Sequence, residues 1–241
     1  MLRVNALSKR FGGFLAVNHV SFEVRPGEIL GLIGPNGSGK STIFNLIAGT
    51  LKPTSGSVRF TDAEIAGMPA HHICRMGLAR TFQIPRPFRK LSLLENATLA
   101  AFYGAGGTIT RREAHRRAVE ALQRVGLPDD PLTGTDGLGA AALKKLEVAR
   151  ALATRPKLLL ADESLGGLDA TEMERAAAML SDIREHLGIT IVWVEHIMGV
   201  LMRIVDRVIV LDHGEMIFEG KPVDAVRDAR VTEVYLGHKR R

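Results

Sequence analysis

The run Gly34-Pro35-Asn36-Gly37-Ser38-Gly39-Lys40-Ser41-Thr42 concentrates residue types suited to one task, the capture of polyphosphate oxygens. Such oxygens need many donors at close range, and glycines let backbone N–H groups turn inward where a Cβ would obstruct them. Asn36, Gly37, Ser38 and Gly39 supply the loop, and Lys40 places a point charge on the β- and γ-phosphates. The Ser41 hydroxyl offers a Mg²⁺ ligand. A helix opening near Lys40 would aim its positive end at the same anion. The pattern is that of a P-loop and predicts binding of ATP or GTP with Mg²⁺. The blander reading, a glycine turn ahead of a helix, is weakened by context. Glu28–Ile33 is a short apolar run of buried-strand type, and Thr42–Ile47 continues as an apolar helix.

A second chemical cluster is Leu158-Leu159-Leu160-Ala161-Asp162-Glu163. An apolar strand ending in two acids puts carboxylates at the carboxyl edge of a parallel sheet, where ligands of such folds bind. Asp162 is expected to hold Mg²⁺, directly or through water, and Glu163 to polarise an attacking water. Three more residues fit hydrolysis at a γ-phosphate. Gln83 follows the short predicted strand Leu78–Phe82 and carries an amide able to reach Mg²⁺ and water. His196 follows Ile189–Val194 and Glu195 at another strand end, and Phe11 lies upstream of the P-loop where it could stack on adenine. Taken singly these have plain readings too: a loop amide, a helix N-terminal histidine and a core aromatic.

The elements around these residues indicate an α/β chain. The opening third reads as strands and turns: Leu2–Leu7, His19–Val24, the turn at Arg25-Pro26-Gly27, the strand entering the P-loop, and Ser57–Phe60. A helical middle follows. Arg111–Val125 sets Ala118, Val119, Leu122 and Val125 against arginines, and Gly126 and Pro128 end it. Ala140–Thr154 is a second helix. Beyond it Lys157–Ala161, Ile189–Val194 and Val208–Leu211 are apolar, and Ala170–His186 and Ile197–Ile204 are helical. That alternation predicts a parallel sheet with helices on its faces. Asp212-His213-Gly214-Glu215 reads as a hairpin turn. The predicted whole is one domain over residues 1–241, a mostly parallel sheet with an antiparallel portion, and a helical subdomain, 84–155, inserted in the core.

Composition sets outer bounds. The chain has 241 residues, 46% of them hydrophobic and 24% charged, an ordinary globular balance. The single cysteine, Cys74, excludes an internal disulfide framework and suits a reducing compartment. The N-terminus lacks the apolar core of a signal peptide, and no segment is long and uncharged enough to span a bilayer. Net charge is +6, gathered around Arg80–Lys90, Arg111–Arg117 and His238–Arg241. That excess permits nucleic acid, an anionic membrane surface or nucleotide as partner and does not choose among them. Aromatics are too sparse to suggest base stacking.

The order Phe11, P-loop, Thr81-Phe82-Gln83, Asp162-Glu163, Gly167-Leu168-Asp169 and Val194-Glu195-His196 resembles ABC-type ATPases. The segments Arg80-Thr81-Phe82-Gln83, Leu94-Glu95-Asn96, Leu146–Leu152 and Val234-Tyr235-Leu236-Gly237 resemble one branch more narrowly: the ATP-binding subunits of high-affinity branched-chain amino-acid importers. Relatives in that group serve urea, amides and aromatic acids. The resemblance covers nearly the whole chain. It implies two ATPase subunits closing head to tail on two ATP molecules, driving integral membrane permease subunits and, through them, an external solute-binding protein. It further implies a peripheral position on the cytoplasmic face of the membrane. By match, Glu163 is the catalytic base, His196 the switch, Gln83 the γ-phosphate sensor and link to the membrane subunit, and Asp169 a residue crossing the dimer contact.

One motif departs from the family. A Leu-Ser-Gly-Gly-Gln-like signature belongs at the start of the helix that becomes Leu146–Leu152, and this chain has Leu138-Gly139-Ala140-Ala141-Ala142. The serine is absent at Gly139, and Ala140 and Ala141 carry Cβ atoms near where glycine would let backbone approach phosphate. Leu132-Thr133-Gly134-Thr135-Asp136 looks closer in letters but would need extra residues before the helix. Ser164, where the family usually has proline, is a milder departure. Two readings follow: one weak site beside a partner subunit with an intact signature, or a slow ATPase that retains nucleotide binding. Outside transport, a soluble ABC-type regulator contacting nucleic acid is the alternative; translation-type relatives usually carry two ATPase units, whereas this chain has one P-loop. A P-loop kinase would need an acceptor pocket that the sequence does not reveal.

Overall fold

The computed structural model describes residues 1–162, 168–195 and 198–236. Two sheets form. In the first, β1 (Leu2–Phe11) pairs antiparallel with β2 (Phe14–Val24) and with β4 (Ser55–Phe60), and the short β5 (Ala63–Glu64) pairs with β4, giving the order β2-β1-β4-β5. The second is built from β3 (Ile29–Ile33), β6 (Leu78–Arg80), β7 (Leu158–Asp162), β8 (Thr190–Val194), β9 (Arg207–Asp212) and β10 (Glu215–Gly220) in the order β10-β9-β3-β8-β7-β6. All its pairings are parallel except β10 with β9, which is antiparallel and turns through Asp212–Glu215 as expected. The mostly parallel α/β core with an antiparallel portion is therefore present.

Strands β3, β7 and β8 are buried along their whole length, which explains why they read as continuous apolar runs rather than alternating ones. Successive side chains still point to opposite faces. Leu30, Leu32, Leu158, Leu160, Val192 and Val194 share one core with helix α1 (Lys40–Ile47) and the antiparallel sheet. Ile29, Ile33, Leu159, Ala161, Ile191 and Trp193 share the other with the helices of the opposite face.

Those helices include α3 (Leu93–Gly104), α4 (Arg111–Val125), α5 (Ala140–Ala153) and α6 (Ala170–Leu187), preceded by the short α2 (Ala70–Arg75). Helix α4 has the predicted boundaries: Thr110 caps its start and Gly126, at φ 68°, ends it. Within 84–155, α3, α4 and α5 pack on one another, and Ala97, Ala118, Leu122 and Leu146 join the sheet face in a single hydrophobic cluster. The chain closes through α7 (Met198–Leu201), α8 (Pro222–Ala225) and α9 (Ala229–Leu236).

Several boundaries differ from the sequence reading. Strand β1 runs on to Phe11 and β2 starts at Phe14, because a Gly12-Gly13 turn makes one long hairpin that the polar residues between Leu7 and His19 obscured. Strand β6 stops at Arg80, where pairing with β7 ends, so Thr81 and Phe82 lie beyond it. Helix α7 ends at Leu201, short of the expected Ile204.

Candidate phosphate-binding site

Strand β3 lies between β8 and β9, and the loop Gly34–Gly39 leaves its carboxyl end to enter α1. Backbone strain is confined there to glycines. Gly34 has φ 152°, and a Cβ on it would lie 2.2 Å from the Leu211 carbonyl oxygen. Gly39 has φ 104°, and its Cβ would lie 2.7 Å from the Ala16 carbonyl oxygen. The loop is thus pressed against β9 and β2 at both ends, while Asn36, Gly37 and Ser41 stay exposed at its mouth. Inside, the buried Lys40 ammonium donates to the carbonyls of Gly34 and Pro35 at 2.8 and 2.9 Å. The Ser38 hydroxyl is buried without a hydrogen-bond partner among the described residues. A buried cation and an orphaned hydroxyl, beside first-turn amides that have no intrahelical acceptor, fit an anion with several oxygens.

Helix caps sharpen the picture. Ser92, Thr110 and Asp169 cap α3, α4 and α6 by accepting from the backbone three residues on, and Asp228 accepts from Arg230 and Val231 at the start of α9. Among the described helices of eight residues or more, α1 and α5 are the ones with glycine at the N-cap and no side-chain cap. Both leave their first-turn amides to an outside partner.

The sheet register brings Asp162 to the same edge. Asp162 pairs with Val194, and Val194 with Leu32, so the end of β7, Glu195 and Gly34 follow one another along the carboxyl edge. Asp162 is buried, and its Oδ2 accepts from Arg80 at 2.6 Å. Glu195 is fully buried. Gln83 is exposed three residues beyond β6, on a segment where Phe82, Ile84 and Phe88 are exposed as well. For Mg²⁺ the donor chemistry fits: this ion is held through one or two carboxylates plus substrate phosphates rather than in an all-protein cage. No group of three potential metal-binding side chains exists among the described residues.

Other predicted residues sit as follows. Phe11 closes β1 at the hairpin tip, half exposed, with the Lys9 ammonium 5.1 Å from its ring centre. Asp169 accepts from the Glu172 amide at 2.8 Å while Glu172 accepts from the Asp169 amide at 3.1 Å, a reciprocal cap at the start of α6. Glu163, Ser164, Gly167 and His196 lie outside the described residues. At the position expected for the signature, Leu138 packs partly buried on the core, Gly139 is the N-cap of α5, and Ala140 and Ala141 occupy its first turn. The rival stretch Leu132–Asp136 is engaged elsewhere: the Thr133 carbonyl accepts from Leu93 at 2.9 Å, and Thr135 donates to the Arg89 carbonyl at 3.2 Å. Cys74 borders a groove beside β6, and burial pushes its thiol up, as suits a packing residue.

Three participants were not anticipated. Arg80 and Asn45 tie β6 and β7 to α1, which no local pattern announces. Tyr235, on α9, comes near the Gly34 amide, and partial burial pushes its phenol up to about 12. Helix α9 also helps to line a cleft on the outer side of the loop with Asn36, Gly37, Asp212 and Arg230.

Fold and loop together define an α/β P-loop nucleotide-binding cassette. The sequence matches the family described as ABC transporter over residues 17–166. It is 37% identical to the high-affinity branched-chain amino acid transport ATP-binding protein LivG of Escherichia coli (strain K12), over 98% of each chain. The ADP conformation of MJ1267, an ATP-binding cassette of an ABC transporter, superposes with a TM-score of 0.87 at 28% identity, covering 99% of each chain. The dimeric post-hydrolysis state of the cassette MJ0796, bound to ADP and Pi, superposes at 0.82 and 28%, over 92% of this chain and 99% of that one. The chain belongs to the ABC transporter family, as an ATPase cassette.

Proposed function

We propose that this chain is the ATP-binding, energy-coupling subunit of an importer for branched-chain amino acids or related small solutes. The carrying observation is the loop Gly34–Thr42, whose buried ammonium and orphaned hydroxyl are shaped for a polyphosphate. Likeness to LivG along nearly the full length supports the solute class. Lys40 leaves its two carbonyl partners for the β- and γ-phosphates, and the backbone of Asn36–Gly39 with Ser41 and Thr42 closes around them. Phe11 contributes a stacking face for adenine. Ser41, Gln83 and Asp162 would hold Mg²⁺, which would supply neutralisation of charge on the phosphate oxygens. Glu163 takes the proton of the attacking water as the water's oxygen bonds to the γ-phosphorus and the bond from that phosphorus to the β–γ bridging oxygen breaks, ADP leaving with the electron pair; His196 reports the γ-phosphate. Positioning and electrostatic preorganisation carry the rate.

The second half of the site comes from a partner subunit, identical or not, with residues 84–155 as the arm that presents α5. The dimeric state of MJ0796 supports such closure. In this chain, Gly139, Ala140 and Ala141 offer a helix N-terminus without a hydroxyl, so the ATP they serve is held weakly; Asp169 lies near the same contact. The apolar, exposed Phe82, Ile84 and Phe88 beside Gln83 suit docking of a membrane permease subunit. No helix among the described residues is long and apolar enough to cross a membrane, consistent with a peripheral subunit at the cytoplasmic face.

Equilibrium titration of the purified protein with a fluorescent ATP analogue tests the binding claim. Saturable binding is expected, reduced tenfold or more in Lys40→Ala, since a charge-assisted contact contributes about 1.5–3 kcal/mol. Co-expression with the adjacent membrane subunits, followed by ATP-dependent uptake of leucine into vesicles, tests the transport claim. Failure to assemble with any membrane subunit, together with salt-sensitive nucleic-acid binding, would overturn it.

A further inference from the structure

Arg80 ends β6, the three-residue edge strand of the parallel sheet, and its side chain is only 9% exposed. An arginine so placed could run its stem along the surface and keep its head in water. Instead the guanidinium lies inside, and one nitrogen donates to Asp162 Oδ2 at 2.6 Å while another donates to Asn45 Oδ1 at 2.6 Å. Its central carbon lies over the rings of Phe44 and Phe82, at 5.7 and 5.3 Å from their centres. One side chain therefore touches α1, the end of β7 and the segment leading to Gln83.

Exposed ion pairs contribute little, but a dry one is held only where its geometry is well satisfied. The planar fork of arginine can serve two acceptors on different elements at once, which the single ammonium of lysine cannot do in the same way. The backbone of Asp162 is fastened separately: its amide donates to Thr81 Oγ1 at 3.2 Å, and the Thr81 amide donates to the Leu160 carbonyl at 3.0 Å. What remains for Arg80 is the carboxylate itself.

We propose that Arg80 is the positioning residue for the Asp162 carboxylate: it holds one oxygen so that the other faces the metal, and through Asn45 keeps it in register with the helix that begins at Lys40. This role rests on the reading of Asp162 as a Mg²⁺-holding residue. Partners that orient metal-binding carboxylates commonly affect metal affinity 10–100-fold. Simple Coulomb repulsion predicts the opposite sign, because removing a positive charge near a cation site should tighten the cation.

The test is equilibrium binding of a fluorescent ATP analogue, in EDTA and across a Mg²⁺ series, for wild type, Arg80→Gln, Arg80→Lys and Asn45→Ala, with folding checked by circular dichroism. Arg80→Gln is expected to leave affinity in EDTA unchanged while raising the half-maximal Mg²⁺ concentration by about 10–100-fold. Arg80→Lys should fall between it and wild type, and Asn45→Ala should shift least. Should Arg80→Gln fail to fold, the other two variants decide. Equal losses with and without Mg²⁺, an unaltered Mg²⁺ response, or tighter Mg²⁺ would each overturn the proposal. A wild-type protein whose nucleotide affinity ignores Mg²⁺ would instead remove the metal role of Asp162, and this role with it.

Discussion

Among the described helices of eight residues or more, two begin with glycine at the N-cap and no side-chain cap, yet they were made differently. At Gly39 the left-handed backbone and the nearby Ala16 carbonyl leave no room for a Cβ. At Gly139 the backbone is ordinary, φ −68° and ψ 168°, and nothing lies within 4 Å of where a Cβ would stand. The first helix has a buried lysine and serine around its open end; the second has alanines. An anion site built by strain and burial tolerates little change, whereas a bare helix terminus could be altered at small cost. In the function proposed above, the P-loop side would carry the specific recognition and the α5 side would offer a generic positive pole.

The largest contrast should appear in stability. Gly39→Ala combines an unfavourable positive φ, which costs about 1–3 kcal/mol, with a backbone clash of similar cost. Urea denaturation should therefore show a loss of about 3 kcal/mol or more. A loss below about 1 kcal/mol would mean that the loop relaxes freely and is not a strained, preset cradle.

Next in size is catalysis. Glu163→Gln should keep ATP binding while lowering turnover at least about 100-fold, the lower end of what a general base contributes. Turnover at the wild-type rate would remove Glu163 from that role. The two helix ends also predict slow hydrolysis by this chain alone. Gly139→Ser restores a hydroxyl where space is open, so steady-state phosphate release at high protein concentration should rise about tenfold, the value of one hydrogen bond to a charged group. If the rate stays flat while ATP binding is intact, the missing hydroxyl is not what limits the isolated chain.

Much of the loop side was legible in sequence because each step is local. The P-loop, the apolar run before it and the acid ending Leu158–Asp162 lie within short windows, and the parallel register follows from strands buried on both faces. The remainder depended on distance along the chain. Arg80 finds Asn45 and Asp162 across 35 and 82 positions, and no periodicity reports such a meeting. Tyr235 reaches Gly34 from the last helix for the same reason. Helix α3 was missed for another reason: its apolar residues run almost all round, so no stripe stands out, although Ser92 and Glu95 spell a capping box at its start. The stretch Leu138–Ala142 was already expected from sequence at the start of a helix, and the structure puts Gly139 at the N-cap of α5 while Leu132–Asp136 bonds to Leu93 and Arg89.

The smallest effects concern the helix ends as caps. Asp169 is bonded into a reciprocal cap, so Asp169→Ala should cost about 1 kcal/mol in urea denaturation even without a partner subunit. Gly139→Ser should add only a few tenths of a kcal/mol, the difference between serine and glycine at that position. These two values separate local capping from contact across subunits. A dimer-contact role for Asp169 predicts a further loss of nucleotide-driven dimerisation, measured by light scattering with Glu163→Gln in the background. If Asp169→Ala weakens the monomer by about 1 kcal/mol and leaves dimerisation unchanged, its carboxylate serves α6 alone, and the contact between subunits must be carried by other residues.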